Sequence, residues 1–262
     1  MDLVRNPVKE KLARGELVAS MTARLVSGVE IVRIAKSAGF DSLYVDLEHS
    51  SFSIQSTGQI CIMALEAGLP AFVRVPANTP EYISRVLDGG ALGVIAPGVR
   101  SAAEAKAVVA AAKYPPHGER GHSAGLPHLG FRALPASETM PALNEATMVI
   151  VQFESAAALG AMEEIVAVPG VDLVLIGTND LTADLGIPGQ YDHPKVREAY
   201  ERTIAACRRH GKHAGVGGLG SRPDLVEQFV KAGARYVSTG TDLGFLVAEC
   251  SKRARQVKEI RI

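Results

Sequence analysis

Tryptophan is missing from this 262-residue chain, and cysteine is scarce: Cys61, Cys207 and Cys250 are odd in number, far apart and in no Cys-x-x-Cys pair. That excludes a disulfide framework and predicts buried thiols in a reducing, cytoplasmic setting. Net charge is missing as well. With 28 basic and 28 acidic residues, no basic field points to nucleic acid or an anionic membrane. No apolar run reaches the roughly 18 residues that a membrane span requires. Met1-Asp2-Leu3-Val4-Arg5-Asn6 lacks the apolar core of a secretory signal. No Lys stands at the end of any predicted strand, which argues against a Schiff-base enzyme. No Ser or Cys lies in a nucleophile-elbow context. Internal repeats and linkers are absent too, so residues 1–262 are expected to form one domain.

What remains is an alternation of apolar runs and helical stretches. Hydrophobic residues make up 47% of the sequence, enough to bury a sizeable core. Eight β-branched or apolar runs read as strands: Leu17–Met21, Ser42–Leu47, Ala71–Val75, Gly93–Pro97, Val149–Glu154, Leu173–Asp180, His213–Val216 and Tyr236–Thr239. Helices are predicted between them at 29–38, 55–67, 79–87, 101–112, 156–166, 193–210 and 223–232, with a last one at 242–258. Asn6-Pro7 marks the start of a short amphipathic lead-in. Eight strand–helix units averaging about 33 residues predict an α/β fold, a (β/α)8 TIM barrel. A doubly wound open sheet is the competitor, disfavoured because no Gly-rich turn follows the first strand. Residues 113–147 carry five prolines and read as a long irregular loop, with a short helix near 140–145.

In such a barrel the chemistry sits at the strand C-termini. There the sequence places Asp46, Glu48 and His49, then Arg74, then Gln152 and Glu154, then Asp180. Glu154 and Asp180 each follow an apolar run, and adjacent parallel strands would bring them together. Two converging carboxylates without Cys or paired His point to a hard ion, Mg²⁺ or Mn²⁺. The alternative for Asp180 is a helix cap. A 2-oxo acid can chelate such an ion through its keto and carboxylate oxygens. The ion would then act as a Lewis acid and stabilise an enolate. Arg74 would add positive charge beside the enolate oxygen, or else form a structural ion pair. His49 is the expected base, with a nearby acid fixing its tautomer, or else a helix-capping residue. Gly215-Val-Gly217-Gly218-Leu-Gly220 matches the dinucleotide pattern GxGxxG but follows the seventh strand. A barrel-rim turn or anion site fits that position better than a nicotinamide site.

Taken together, Asp46-x-Glu48-His49, Arg74-Val-Pro76, Tyr114-Pro-Pro-His-Gly-Glu-Arg120-Gly121, Gln152-Phe-Glu154 and Gly177-Thr-Asn-Asp180-Leu181 resemble the HpcH/HpaI aldolase family. These are class II, metal-dependent pyruvate aldolases acting on 4-hydroxy-2-oxo acids. The resemblance implies a (β/α)8 barrel, often hexameric, with its last helix exchanged between subunits. It implies that Glu154 and Asp180 bind Mg²⁺, Mn²⁺ or Co²⁺. Gln152 and Arg74 would contact the pyruvate part, and His49 with Asp46 would handle the proton. Thr178 and Asn179 stand where many members carry Pro-Ala, so they are expected to line the substrate pocket. The expected activity is reversible cleavage of a 4-hydroxy-2-oxo acid to pyruvate, or a close analogue, and an aldehyde. His49 would take the C4 hydroxyl proton through a water on the metal. The alternatives are an acyl-CoA lyase of the same barrel type and a nicotinamide-dependent oxidoreductase.

Overall fold

A strand whose two faces are both apolar needs cover on both, and a closed barrel ringed by helices supplies it. The computed structural model describes residues 3–261. Eight strands, β1 (Val18–Ala23), β2 (Ser42–Asp46), β3 (Ala71–Arg74), β4 (Gly93–Ala96), β5 (Met148–Phe153), β6 (Leu173–Gly177), β7 (His213–Gly217) and β8 (Tyr236–Thr241), form a closed barrel in sequence order. All pairs are parallel. Asp46 lies opposite Arg74 between β2 and β3. Val18 lies opposite Tyr236 where β1 meets β8, with a register shift between Ser20 and Thr22.

Alternation along each strand divides the core in two. Tyr44, Phe72, Ile95, Ile150, Leu175 and Tyr236 pack inside the barrel. Leu43, Val45, Val73, Val94, Val151, Val174 and Val237 face the surrounding helices. Helix α1 (Pro7–Ala13) adds Val8 and Leu12 to the inner cluster. Its cap, Asn6, accepts from the Val8 and Lys9 amides and donates to the Ala146 carbonyl at 2.8 Å. The barrel is thereby closed at its N-terminal end.

Around the strands run α2 (Glu30–Ser37), α3 (Ile54–Glu66), α4 (Pro80–Asp88), α5 (Ala102–Ala112), α6 (Ala136–Ala146), α7 (Ala156–Gly160), α8 (Met162–Val166), α9 (Thr178–Asp184), α10 (Pro194–Arg209), α11 (Pro223–Ala232) and α12 (Asp242–Lys258). Ser53 and Ser101 cap α3 and α5 through their hydroxyls, a contact worth about 1 kcal/mol each. No described helix is long and apolar enough to cross a membrane.

Three expectations about elements need correction. The single helix expected at 156–166 is two, broken at Ala161, where the backbone turns to φ −94°. The strand expected to reach Asp180 ends at Gly177, and Thr178, Asn179 and Asp180 form the first turn of α9. Within 113–147, α6 is far longer than the short helix expected, with Pro141 inside it. Tertiary contacts override that proline. The Asn144 side chain accepts from the Tyr114 amide at 2.7 Å and donates to its carbonyl at 3.0 Å. Lys113 Nζ donates to the Asn144 carbonyl at 2.6 Å.

Candidate active site

Where the inward strand residues reach the C-terminal rim, the apolar filling gives way to polar groups. A cavity of about 550 Å³ opens there, floored by Tyr44, Gln152 and Leu175 and bordered by Asp46, His49, Arg74 and Asp180. Its far wall comes from Gly217, Gly218 and Gly220 and from Phe245 and Ala248 of α12.

Asp46 and Arg74, opposite each other in register, form a bidentate pair at 3.0 and 2.7 Å. Both are buried. Burial opposes ionisation of Asp46, but the Arg74 hydrogen bonds and charge outweigh it and hold the carboxyl below its usual range. A third guanidinium nitrogen of Arg74 reaches Glu48 at 2.8 Å. With five N–H groups and two spent on hydrogen bonds to Asp46, the fork keeps donors to spare.

The other Asp46 contacts are to backbone: its Oδ1 accepts from the amides of Glu48 and His49 at 3.0 and 3.2 Å. Asp46 thus shapes the turn that carries His49 and does not meet its ring. The imidazole partner is Glu48, at 3.5 Å from Nε2. Nor is His49 a helix cap, since Ser53 holds that place for α3.

Gln152 lies between Tyr44, whose hydroxyl donates to its Oε1 at 3.3 Å, and Glu154, whose Oε2 accepts from its Nε2 at 2.7 Å. Both side chains lean across Gly177: a Cβ there would come within 2.6 Å of Gln152 and 2.9 Å of Glu154. Only glycine leaves room for them. Glu154 is half-buried, with Gly98 beside it. Burial first, then the charges of Glu48 and Asp180, push its carboxyl up to about 7. Glu48 and Asp180 thus lie near enough for their charges to act on Glu154. Among the described residues no three His, Cys, Asp or Glu side chains converge as a ligand cluster. A carboxylate whose ionisation is opposed by burial and by neighbouring acids still fits a hard divalent ion, with solvent or substrate completing its shell.

Thr178 and Asn179 also line the cavity. The Thr178 hydroxyl is committed to the Gly217 carbonyl at 2.6 Å and to Tyr200 at 2.7 Å. Asn179 Oδ1 accepts from Tyr191 at 2.7 Å, while its amide group lies beside Gly218. The Gly-rich turn therefore borders this same cavity. Sequence reading missed Arg24, which lines the cavity, and Asp242, whose carboxylate accepts from the amides of Arg24, Leu25, Val26 and Leu243. β1 runs two residues beyond its expected end, so Arg24 looked like loop; its position one past the strand was the available signal.

Known proteins share the sequence and the fold of this chain. Residues 26–248 match the sequence model of the HpcH/HpaI aldolase/citrate lyase family. The 4-hydroxy-4-methyl-2-oxoglutarate aldolase tasA of Hapsidospora irregularis is 38% identical, over 98% of this chain and 96% of its own. The 2-keto-3-deoxy-L-rhamnonate aldolase of Escherichia coli K12 is 36% identical, over 92% of this chain and 88% of its own. The crystal structure of an HpcH/HpaI aldolase from Desulfitobacterium hafniense DCB-2 superposes with a TM-score of 0.91, at 34% identity and over 97% of each chain.

Proposed function

This chain belongs to the HpcH/HpaI aldolase/citrate lyase family and is an aldolase, a carbon–carbon lyase of 4-hydroxy-2-oxo acids; from that premise we propose how its own residues do the work. The carrying observation is one cavity bordered by Asp180 and by Arg74, whose plane is fixed by Asp46, with Glu154 bonded to the Gln152 of its floor. Glu154 and Asp180 would hold a divalent ion, Mg²⁺ or Mn²⁺, with Co²⁺ as a further candidate. The chemistry supplied by an ion bound there is Lewis-acid polarisation of the keto oxygen.

The chain's side chains account for the rest. Gln152, held between Tyr44 and Glu154, and Arg74 bind and orient the pyruvate part. His49 takes the proton of the C4 hydroxyl, and the neighbouring Glu48 carboxylate steadies the charged imidazole. As that proton leaves, the C3–C4 bond breaks and C4 becomes the carbonyl of the departing aldehyde or ketone. The electron pair passes into the enolate of pyruvate, whose oxygen takes a hydrogen bond from a spare N–H of Arg74. A proton delivered to C3 completes pyruvate. Asp46 acts on this step by fixing Arg74 and the His49 turn. Asn179 is the side chain on α9 with an amide left for the substrate.

We also place the enzyme in the cytoplasm, which the free thiols of Cys61, Cys207 and Cys250 support. The assembly we propose is a homo-oligomer, a hexamer with α12 exchanged. Its support is the exposure of Leu243, Leu246 and Val247 on α12, where Asp242 is the sole buried residue.

The test is cleavage and reverse addition with pyruvate or hydroxypyruvate and a panel of carbonyl acceptors, with and without Mg²⁺ or Mn²⁺. Glu154→Ala and Asp180→Ala are expected to lose metal binding, measured by calorimetry, and turnover together. Full activity of the exhaustively chelated wild type would overturn the metal assignment.

A further inference from the structure

Arg24 has no part in the chemistry above, yet it lines the cavity. Its backbone is pinned, because Asp242 accepts from its amide at 2.9 Å and from the next two amides. Its side chain is pinned at one terminal nitrogen, which donates to the His49 carbonyl at 2.9 Å. Its Nε is buried and makes no hydrogen bond among the described residues. The nearest carboxylate, Asp46, lies 3.5 Å away and is already gripped by both prongs of Arg74. Arg24 is therefore a pre-placed guanidinium without a dedicated anion, and a buried donor left unpaired is costly.

The hydroxyls on the same side of the cavity stand in contrast. Thr22 and Ser238 bond each other at 2.9 Å, and Thr239 donates to the Ser20 carbonyl at 3.2 Å. Thr241 accepts the Gly244 amide as the cap of α12. These groups have partners in the chain and gain less from a polyhydroxylated acceptor than Arg24 gains from an anion.

We propose that Arg24 binds a carboxylate on the part of the substrate that leaves as the carbonyl product, so that the substrate is a 4-hydroxy-2-oxo diacid. The position suits this. Arg24 touches the loop of His49, the base for the C4 hydroxyl, and so lies beside the atoms beyond C4. The planar fork matches a carboxylate in two places at once. The inference rests on the lyase reading above and adds to it the class of acceptor, an oxo acid.

The test compares two substrates of equal length, 4-hydroxy-2-oxoglutarate and 4-hydroxy-2-oxopentanoate, which differ by carboxylate against methyl. The wild type is expected to favour the diacid in kcat/KM. In Arg24→Leu that ratio should fall about 10- to 100-fold, the worth of a hydrogen-bonded charge, and Arg24→Lys should restore part of it. Binding is measured in parallel by calorimetry with Mn²⁺, using 2-oxoglutarate and 2-oxopentanoate, which lack the C4 hydroxyl and cannot be cleaved. The same ratio is expected to fall. An unchanged ratio in Arg24→Leu, or a wild type that prefers the monoacid, would overturn the role of Arg24. A wild type that cleaves neither substrate with any metal would overturn the lyase reading instead, while the binding ratio still decides Arg24.

Discussion

Arg74 is buried against Asp46, so its replacement has two consequences that must be separated. Arg74→Ala leaves a buried carboxylate without its partner and is expected to cost about 3–5 kcal/mol of stability. Arg74→Lys keeps the charge and is the better kinetic probe. It should depress both aldol cleavage and oxaloacetate decarboxylation, by up to about 10²–10³, because both pass through the pyruvate enolate. His49→Ala should lose most cleavage and keep much of the decarboxylation, which has no hydroxyl proton to remove. Steady-state rates of the two reactions for the two variants check this; equal loss of both in His49→Ala would remove the base assignment. Asp46, Arg74 and His49 were legible as a set because strand ends are polar only for a reason. Their pairing was not. Sequence order puts Asp46 beside His49, whereas barrel register puts it opposite Arg74, and register is invisible in the spacing of one strand. A second residue, outside the site, gives a pH signature. Burial pushes His128 down to about 4 from an ordinary 6.5, with its Nε2 on the Ala91 carbonyl. Between these values the unfolded chain holds a proton that the folded one refuses, so stability is fully present above about 6.5 and is lost as pH falls toward 4. Thermal midpoints measured across that window should fall less steeply in His128→Gln than in the wild type; parallel slopes would contradict it.

At the scale of elements, the eight strands were legible because the barrel imposes apolar residues on both faces of each. The boundaries that failed are those set by contacts. α9 begins where Gly177 must yield space to Gln152 and Glu154, and α6 runs through Pro141 because Asn144 and Lys113 tie it to the chain at Tyr114. α12 has one buried residue, Asp242. Asp242 joins its first turn to residues 24–26, across the seam between β8 and β1. Asp242→Ala removes the acceptor of these part-buried amides, at about 0.5–1.5 kcal/mol for each hydrogen bond lost. Faster amide hydrogen exchange at Arg24, Leu25 and Val26 is expected in that variant, and unchanged protection there would show that other contacts hold the loop.

For the whole molecule, the barrel was readable from the count and spacing of units, whereas assembly is a property of surfaces that a linear pattern does not separate from core. α12 shows apolar side chains to solvent over much of its length, an arrangement that a lone subunit seldom maintains. Light scattering is expected to report an oligomer, and a chain ending at Gly240 to report smaller species or to precipitate. A monomeric wild type would count against the exchange of α12. The seal made by α1 has its own consequence. With Val8 and Leu12 stopping one end and aromatic side chains filling the middle, the barrel is a flask with a single neck. On the proposed placing of the pyruvate half on Gln152, that half is expected to go in first, past Arg24 and the Gly-rich turn, and to come out last.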